Sequence, residues 1–148
     1  MAPQVRLALE PFDPAAELAA FAAAHGDAGG VVSFLGQVRA DEAVEALELR
    51  HYDPLTLPGM EALAAATAAR WPLAGFVIIH RSGVMHPGDP IVFVAAAARH
   101  RRDAFAAADY AMDHLKSDAW FWKRELAGGH WRWVEPRDQD HADLARWG

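Results

Sequence analysis

Val5, Leu7 and Leu9 alternate with polar Arg6 and, further on, Glu10, the period of two that sets one face of a strand on a core. Asp13-Pro14 then starts a helix: aspartate accepts from the free amides of a first turn, proline suits the first helical position, and His25-Gly26 supplies the stop. Leu18, Phe21 and Ala22 on this helix are expected to pack on a sheet. Gly29-Gly30 opens a β-rich run that ends at Arg39, before a break at residues 40 to 42, and Glu45 to Tyr52 reads as its hairpin partner. Gly36 inside that run predicts a bulge or a close approach of a ligand to the backbone. A second helix is expected from Pro58 to Trp71, with Met60, Leu63, Ala64 and Thr67 roughly on one side and Pro72 ending it. The runs 76–79 and 91–94 are continuously apolar, as strands covered on both faces require, and Pro87-Gly88-Asp89 turns the chain between them.

From Asp103 to Lys116 the apolar residues Phe105, Ala108, Met112 and Leu115 recur at steps of three and four, an amphipathic helix. At about 100° per residue, Lys116 falls about 20° from Phe105, which points this lysine toward apolar surroundings. The plainer alternative is a lysine that snorkels at a helix C-terminus and gains from the macrodipole. Residues 122–126 and 131–135, joined through Ala127-Gly128-Gly129-His130, read as a β-hairpin. Alternation places Lys123 with Phe121 and Glu125 on one face, and Trp122 with Arg124 on the other. The hairpin's three tryptophans suit either a core or an interface. Residues 138 to 147 suggest a short amphipathic helix. The order β-α-β-β-α-β-β-α-β-β predicts the α+β class, and 148 residues fit one domain spanning 1–148.

Charge sharpens this picture. The formal net charge of −6 argues against nucleic acid, whose phosphates need a basic face. Positive charge is instead local, in Arg99-His100-Arg101-Arg102, which suits a pocket for a small anion better than a long stripe; a solvated charge run is the bland alternative. The chain carries 12 arginines and only two lysines, Lys116 and Lys123. A lysine can lose its proton when desolvated and an arginine effectively cannot, so these two positions suggest a need for a primary amine. There is no cysteine, hence no disulfide, thiolate metal site or persulfide on this polypeptide. His80 and His86 lack a helical His-x3-His or paired carboxylates, and no metal or cofactor is expected. The uncharged apolar run 91–98 falls far short of the roughly 18 residues of a membrane span, and residues 1–6 lack a secretory pattern. A cytoplasmic protein without membrane contact is expected.

Several motifs in one order resemble the large, catalytic subunit family of molybdopterin synthase. They are Ser33-Phe34-Leu35-Gly36-Gln37-Val38-Arg39, His80-Arg81-Ser82-Gly83, Pro87-Gly88-Asp89 and His100-Arg101 followed by Ala104-Phe105. Met112-Asp113-His114-Leu115-Lys116, Phe121-Trp122-Lys123-Arg124-Glu125 and Trp133-Val134-Glu135 continue the series. The similarity runs roughly from residue 4 to residue 147. Trp120 stands where the family often has proline, and Val84-Met85-His86 replaces a more usual glutamate-containing turn. The resemblance implies an α/β hammerhead-type fold with an additional small antiparallel β subdomain. It also implies sulfur transfer to cyclic pyranopterin monophosphate, forming the dithiolene of molybdopterin in molybdenum cofactor biosynthesis. The sulfur would come from the C-terminal Gly-Gly thiocarboxylate of a small ubiquitin-like carrier, and two catalytic subunits would form a homodimer within a heterotetramer.

On this reading Lys116 and Lys123 are the catalytic pair, orienting the thiocarboxylate and stabilising oxyanions as sulfur attacks and carboxylate leaves. Glu125 would hold Lys123 in place. Arg39, by position alone a surface residue, joins His100 and Arg101 in supplying charge-assisted hydrogen bonds to the anions. The resemblance adds Phe34, Gln37, Val38, Met112 and Arg124 to the substrate-binding set, with Arg137 reaching the phosphate site of the neighbouring protomer. Two rivals make different demands. A non-catalytic binding module for a phosphorylated metabolite needs the arginines but not the lysines, and a docking subunit for a ubiquitin-like partner needs neither set.

Overall fold

In the computed structural model, which describes residues 1–39, 43–117, 120–134 and 138–147, the strands form two four-stranded sheets and the helices gather on the first. The elements run β1 (Gln4–Ala8), α1 (Pro14–Ala24), β2 (Gly30–Gln37), β3 (Ala46–His51), α2 (Thr56–Arg70), β4 (Leu73–Arg81), β5 (Gly83–Met85) and β6 (Pro90–Ala98). They continue with α3 (Arg101–Ser117), β7 (Phe121–Ala127), β8 (His130–Val134) and α4 (Asp138–Ala145). The larger sheet has the order β1-β4-β6-β2, with β1 parallel to β4 and the other pairs antiparallel. The smaller, wholly antiparallel sheet has the order β5-β3-β7-β8. This is the expected α+β fold with a small β subdomain.

Why β4 up to Ile79 and all of β6 are apolar is clear from what covers them. Val77, Ile79, Phe93 and Ala95 face α1 and its Leu18 and Phe21. Phe76, Ile78, Val92 and Val94 face the other way, into the larger core with α2 and α3. Each fully buried phenylalanine or isoleucine contributes about 1.5–3 kcal/mol by leaving water. Against Ala96 and Ala98 of β6, α3 presents Ala104, Ala107, Ala108 and Ala111. Small residues on both sides let the helix backbone approach the sheet closely, which fixes where its last turn ends.

Local chemistry accounts for the element ends. The Asp13 carboxylate accepts from the amides of Ala15 at 3.0 Å and Ala16 at 3.2 Å, and His25 closes α1 as expected. Gly128 at φ 58° and Gly129 at φ 77° form the two-residue turn between β7 and β8, a geometry that needs positive φ at both positions. Gly36 marks a register shift between β2 and β6, the bulge its position predicted, and the group close to it is Val92 rather than open space. The second helix begins at Thr56, two residues earlier than expected, and buries Met60, Leu63, Ala64 and Thr67. Thr56 is fully buried; its hydroxyl accepts from the Tyr52 amide at 2.8 Å and donates to the Trp120 carbonyl. At Gly59 an added Cβ would lie 2.4 Å from the Trp120 indole nitrogen, so this glycine makes room for the tryptophan that leads into β7.

Three expectations need correction. Residues 45–52 do form a strand, but β3 pairs with β5 and β7, not with β2, whose partner is β6. The chain passes from one sheet to the other at this point instead of folding back. The short strand β5 was not expected at all; its three residues are too few for any period to register. Phe105 is 57 % exposed, so the buried face of α3 is the alanine stripe with Met112 and Leu115. Lys116, placed close to Phe105 around the helix, is accordingly exposed.

Candidate active site

Where the two sheets join, they leave a cleft of about 1320 Å³. Its floor is apolar: Leu47 and Leu49 of β3, Ile91 of β6, Met112 and Leu115 of α3. The end of β2 and the residues after it supply Phe34, Gln37, Val38 and Arg39. From the last turn of α3 comes Lys116, from β7 Phe121 and Lys123, and from β8 Trp133 and Val134. The two lysines are seven residues apart in sequence, on different elements, and the fold turns both into one cavity. Lys123 pairs with Glu125 at 3.6 Å, on the same face of β7, as alternation predicted.

The cleft is not uniformly positive. Asp113, Asp140 and Asp143 also line it. Asp113 is engaged by the Arg146 guanidinium at 2.7 Å and the Trp147 indole N–H at 2.6 Å, which tie the C-terminal helix α4 to α3. The Ser117 hydroxyl donates to the Asp140 carbonyl at 2.7 Å across the same junction.

Not every expected residue is brought here. Arg124 lies on the opposite face of β7, with Nε 2.5 Å from Glu48 and its guanidinium 4.5 Å from the Trp131 ring centroid. Trp122 and Trp133, which do line the cleft, are 58 % and 56 % exposed and meet edge to face, so they are not core. Glu125 reaches the cleft only through Lys123. His100 and Arg101 sit at the start of α3, next to Gly30, whose added Cβ would lie 3.6 Å from the Arg101 Cα. Fifteen residues of helix separate Arg101 from Lys116, about 22 Å along the axis. Arg137 lies outside the described residues.

One cleft residue, part of the motif His80-Arg81-Ser82-Gly83, was given no role in the sequence beyond that of a rejected metal ligand. His80, in register with Phe76 and Ile78 on β4, is 4 % exposed and stacks on Phe121 with ring centroids 4.0 Å apart. Its Nδ1 lies 2.9 Å from the Arg81 carbonyl. A carbonyl can only accept, so Nδ1 carries the hydrogen. Burial lowers the His80 pKa from 6.5 to about 4; the bond to the Arg81 carbonyl opposes the shift and the charge of Lys116 adds to it. The signal in the sequence was a polar residue at the apolar phase of a buried strand.

This has a measurable consequence. An unfolded chain binds a proton at His80 near pH 6.5, and the folded chain refuses it until about pH 4. The unfolded state therefore holds more protons between those values, so stability is full above pH 6.5 and falls by about 3 kcal/mol as the pH drops toward 4. Urea unfolding at pH 7.5 and 4.5 is expected to show this loss in the wild type and to show it much reduced in His80→Asn. Equal pH dependence in the two chains would mean that His80 titrates alike folded and unfolded.

Comparison with known proteins agrees with this architecture. The family model described as MoaE protein matches residues 7–118. The chain belongs to the MoaE protein family. Among its MoaE relatives is the molybdopterin synthase catalytic subunit of Mesorhizobium japonicum, 45 % identical over 150 residues, 99 % of this chain and 94 % of that one. Of solved MoaE structures, molybdopterin cofactor biosynthesis protein E from Burkholderia multivorans superposes with a TM-score of 0.84 at 44 % identity, covering 99 % of this chain and 97 % of that one. Molybdopterin synthase from Staphylococcus aureus gives 0.77 at 26 % identity, covering 88 % and 96 %. No described helix is long and apolar enough to cross a membrane.

Proposed function

We propose that this chain is the catalytic subunit of a molybdopterin synthase, acting as one domain in the cytoplasm. It transfers sulfur from the C-terminal thiocarboxylate of a small ubiquitin-like carrier to cyclic pyranopterin monophosphate. The observation that carries the reading is the convergence of Lys116 and Lys123, the only two lysines, on one cleft with Arg39 at its edge. A thiocarboxylate and a phosphate are both anions, and compact ammonium groups on an apolar floor hold such groups more firmly than they would in open water. Lys116 and Lys123 orient the thiocarboxylate and stabilise the oxyanions formed as sulfur attacks and carboxylate leaves. Phe34 and Met112 offer apolar contact to the pterin, while Gln37 and Arg39 supply its polar contacts. The cleft, at about 1320 Å³, has room for a small pterin beside a thin Gly-Gly tail.

With no cysteine in the chain, sulfur has no side chain here on which to rest as a persulfide. Methionine thioethers have no ionisable thiol and give sulfoxides on oxidation. The donor is therefore a second molecule. Purified protein with pterin substrate and free sulfide is expected to make little product, whereas thiocarboxylated carrier restores turnover with two carriers consumed per product. Efficient synthesis from inorganic sulfide alone would refute the proposal.

A further inference from the structure

We infer that His80 is a substrate-contacting residue whose Nε2 accepts a hydrogen bond from an N–H of the pterin ring; this rests on the function proposed above. The geometry leaves the imidazole little freedom. Its face is covered by Phe121 and its Nδ1–H is spent on the Arg81 carbonyl. The remaining nitrogen, Nε2, makes no hydrogen bond to any described residue, and the ring lines the cleft with Lys116 and Lys123. With Nδ1 protonated and the ring uncharged, Nε2 carries a lone pair and can only accept.

That chemistry selects the partner. A lone pair cannot bond a phosphate or thiocarboxylate oxygen, which are acceptors themselves and belong to the cations of the cleft. A reduced pterin ring presents N–H donors, and these need neutral acceptors at the edge of an apolar surface. His80 offers one that stays uncharged because burial and the nearby lysine both disfavour its protonation. Protonation would turn the acceptor into a donor and add a positive charge to those of Lys116, Lys123 and Arg39. The stacked Phe121 ring holds the acceptor in a fixed plane, so a flat ligand entering along the apolar floor meets it edge-on.

Two substitutions separate the two nitrogens. Asparagine places its amide N–H near the Nδ1 position and keeps the bond to the Arg81 carbonyl, but it has nothing at Nε2. Glutamine reaches the Nε2 position with its carbonyl oxygen and gives up the Nδ1 bond. In steady-state assays with thiocarboxylated carrier, His80→Asn is expected to raise KM for cyclic pyranopterin monophosphate about tenfold with kcat within about threefold, the size of one neutral hydrogen bond lost. His80→Gln is expected to recover most of that loss. Thermal unfolding and calorimetric binding of the same pterin accompany both. A wild-type KM in His80→Asn, equal impairment in folded Asn and Gln chains, or failure of the Asn chain to fold would each overturn the assignment, since the fold-keeping bond is the one asparagine retains. If the wild type neither binds nor converts the pterin, the proposed function falls and takes this contact with it. If the wild type works and His80→Asn matches it, only the contact falls.

Discussion

Alanine at Lys116 or at Lys123 is expected to lower turnover by at least about 10²-fold, a typical cost of removing one electrostatic or acid–base group from a reacting centre. The fold should survive both changes. Lys116 is exposed at the last turn of α3, and the Lys123 side chain is 41 % exposed. Neither leaves a core cavity, and the ion pair lost with Lys123 is partly solvated and contributes little to stability. Unfolding temperatures near the wild-type value, together with the drop in kcat, would separate a chemical role from a structural one. Arginine at either position keeps the charge but spreads it over a planar fork, so it should recover binding of the carrier tail better than it recovers turnover. Near-wild-type turnover in both alanine variants would end the catalytic-lysine reading and favour a binding module.

How far the sequence speaks for itself depends on whether the signal is local. Asp13, Pro14 and His25 mark the ends of α1 because a cap is a contact between neighbours. Gly128-Gly129 marks its turn because two consecutive positive φ values suit glycine. Alternation in β7 put Lys123 and Arg124 on opposite faces, and the structure agrees. What alternation lacks is the identity of the strand alongside, so the pairing of β3 with β7, 70 or more residues away, had no local trace. The helical wheel has a related limit. It gave the angle between Phe105 and Lys116 correctly, but the inward direction of α3 is set by Ala96 and Ala98 on another element, which favour small residues over a phenylalanine. His80 was legible as a polar residue on an apolar strand face; its role depends on Phe121 and Lys116, which only the fold brings near.

The separation of the arginine cluster from the lysines leads to the second large effect. Along α3 about 22 Å lie between Arg101 and Lys116, too far for one small substrate to bridge within a chain. A homodimer resolves this if His100 and Arg101 of one copy serve the cleft of the other, as a two-fold axis passing between the two ends of α3 would arrange. The edge position of β2, with Phe34 and Leu35 42 % and 38 % exposed beside the cleft, leaves a surface for such a contact. Subunit mixing tests it directly. Lys123→Ala and Arg101→Ala, each nearly inactive alone at low pterin concentration, are expected to recover about one quarter of wild-type turnover when exchanged in equal amounts, since half the dimers are mixed and one of their two clefts is intact. Mixing Lys116→Ala with Lys123→Ala should restore nothing, because both lysines serve the same cleft of the same chain and every cleft then carries a lesion. If Arg101 acted on its own chain's cleft, the first mixture would stay as inactive as the second.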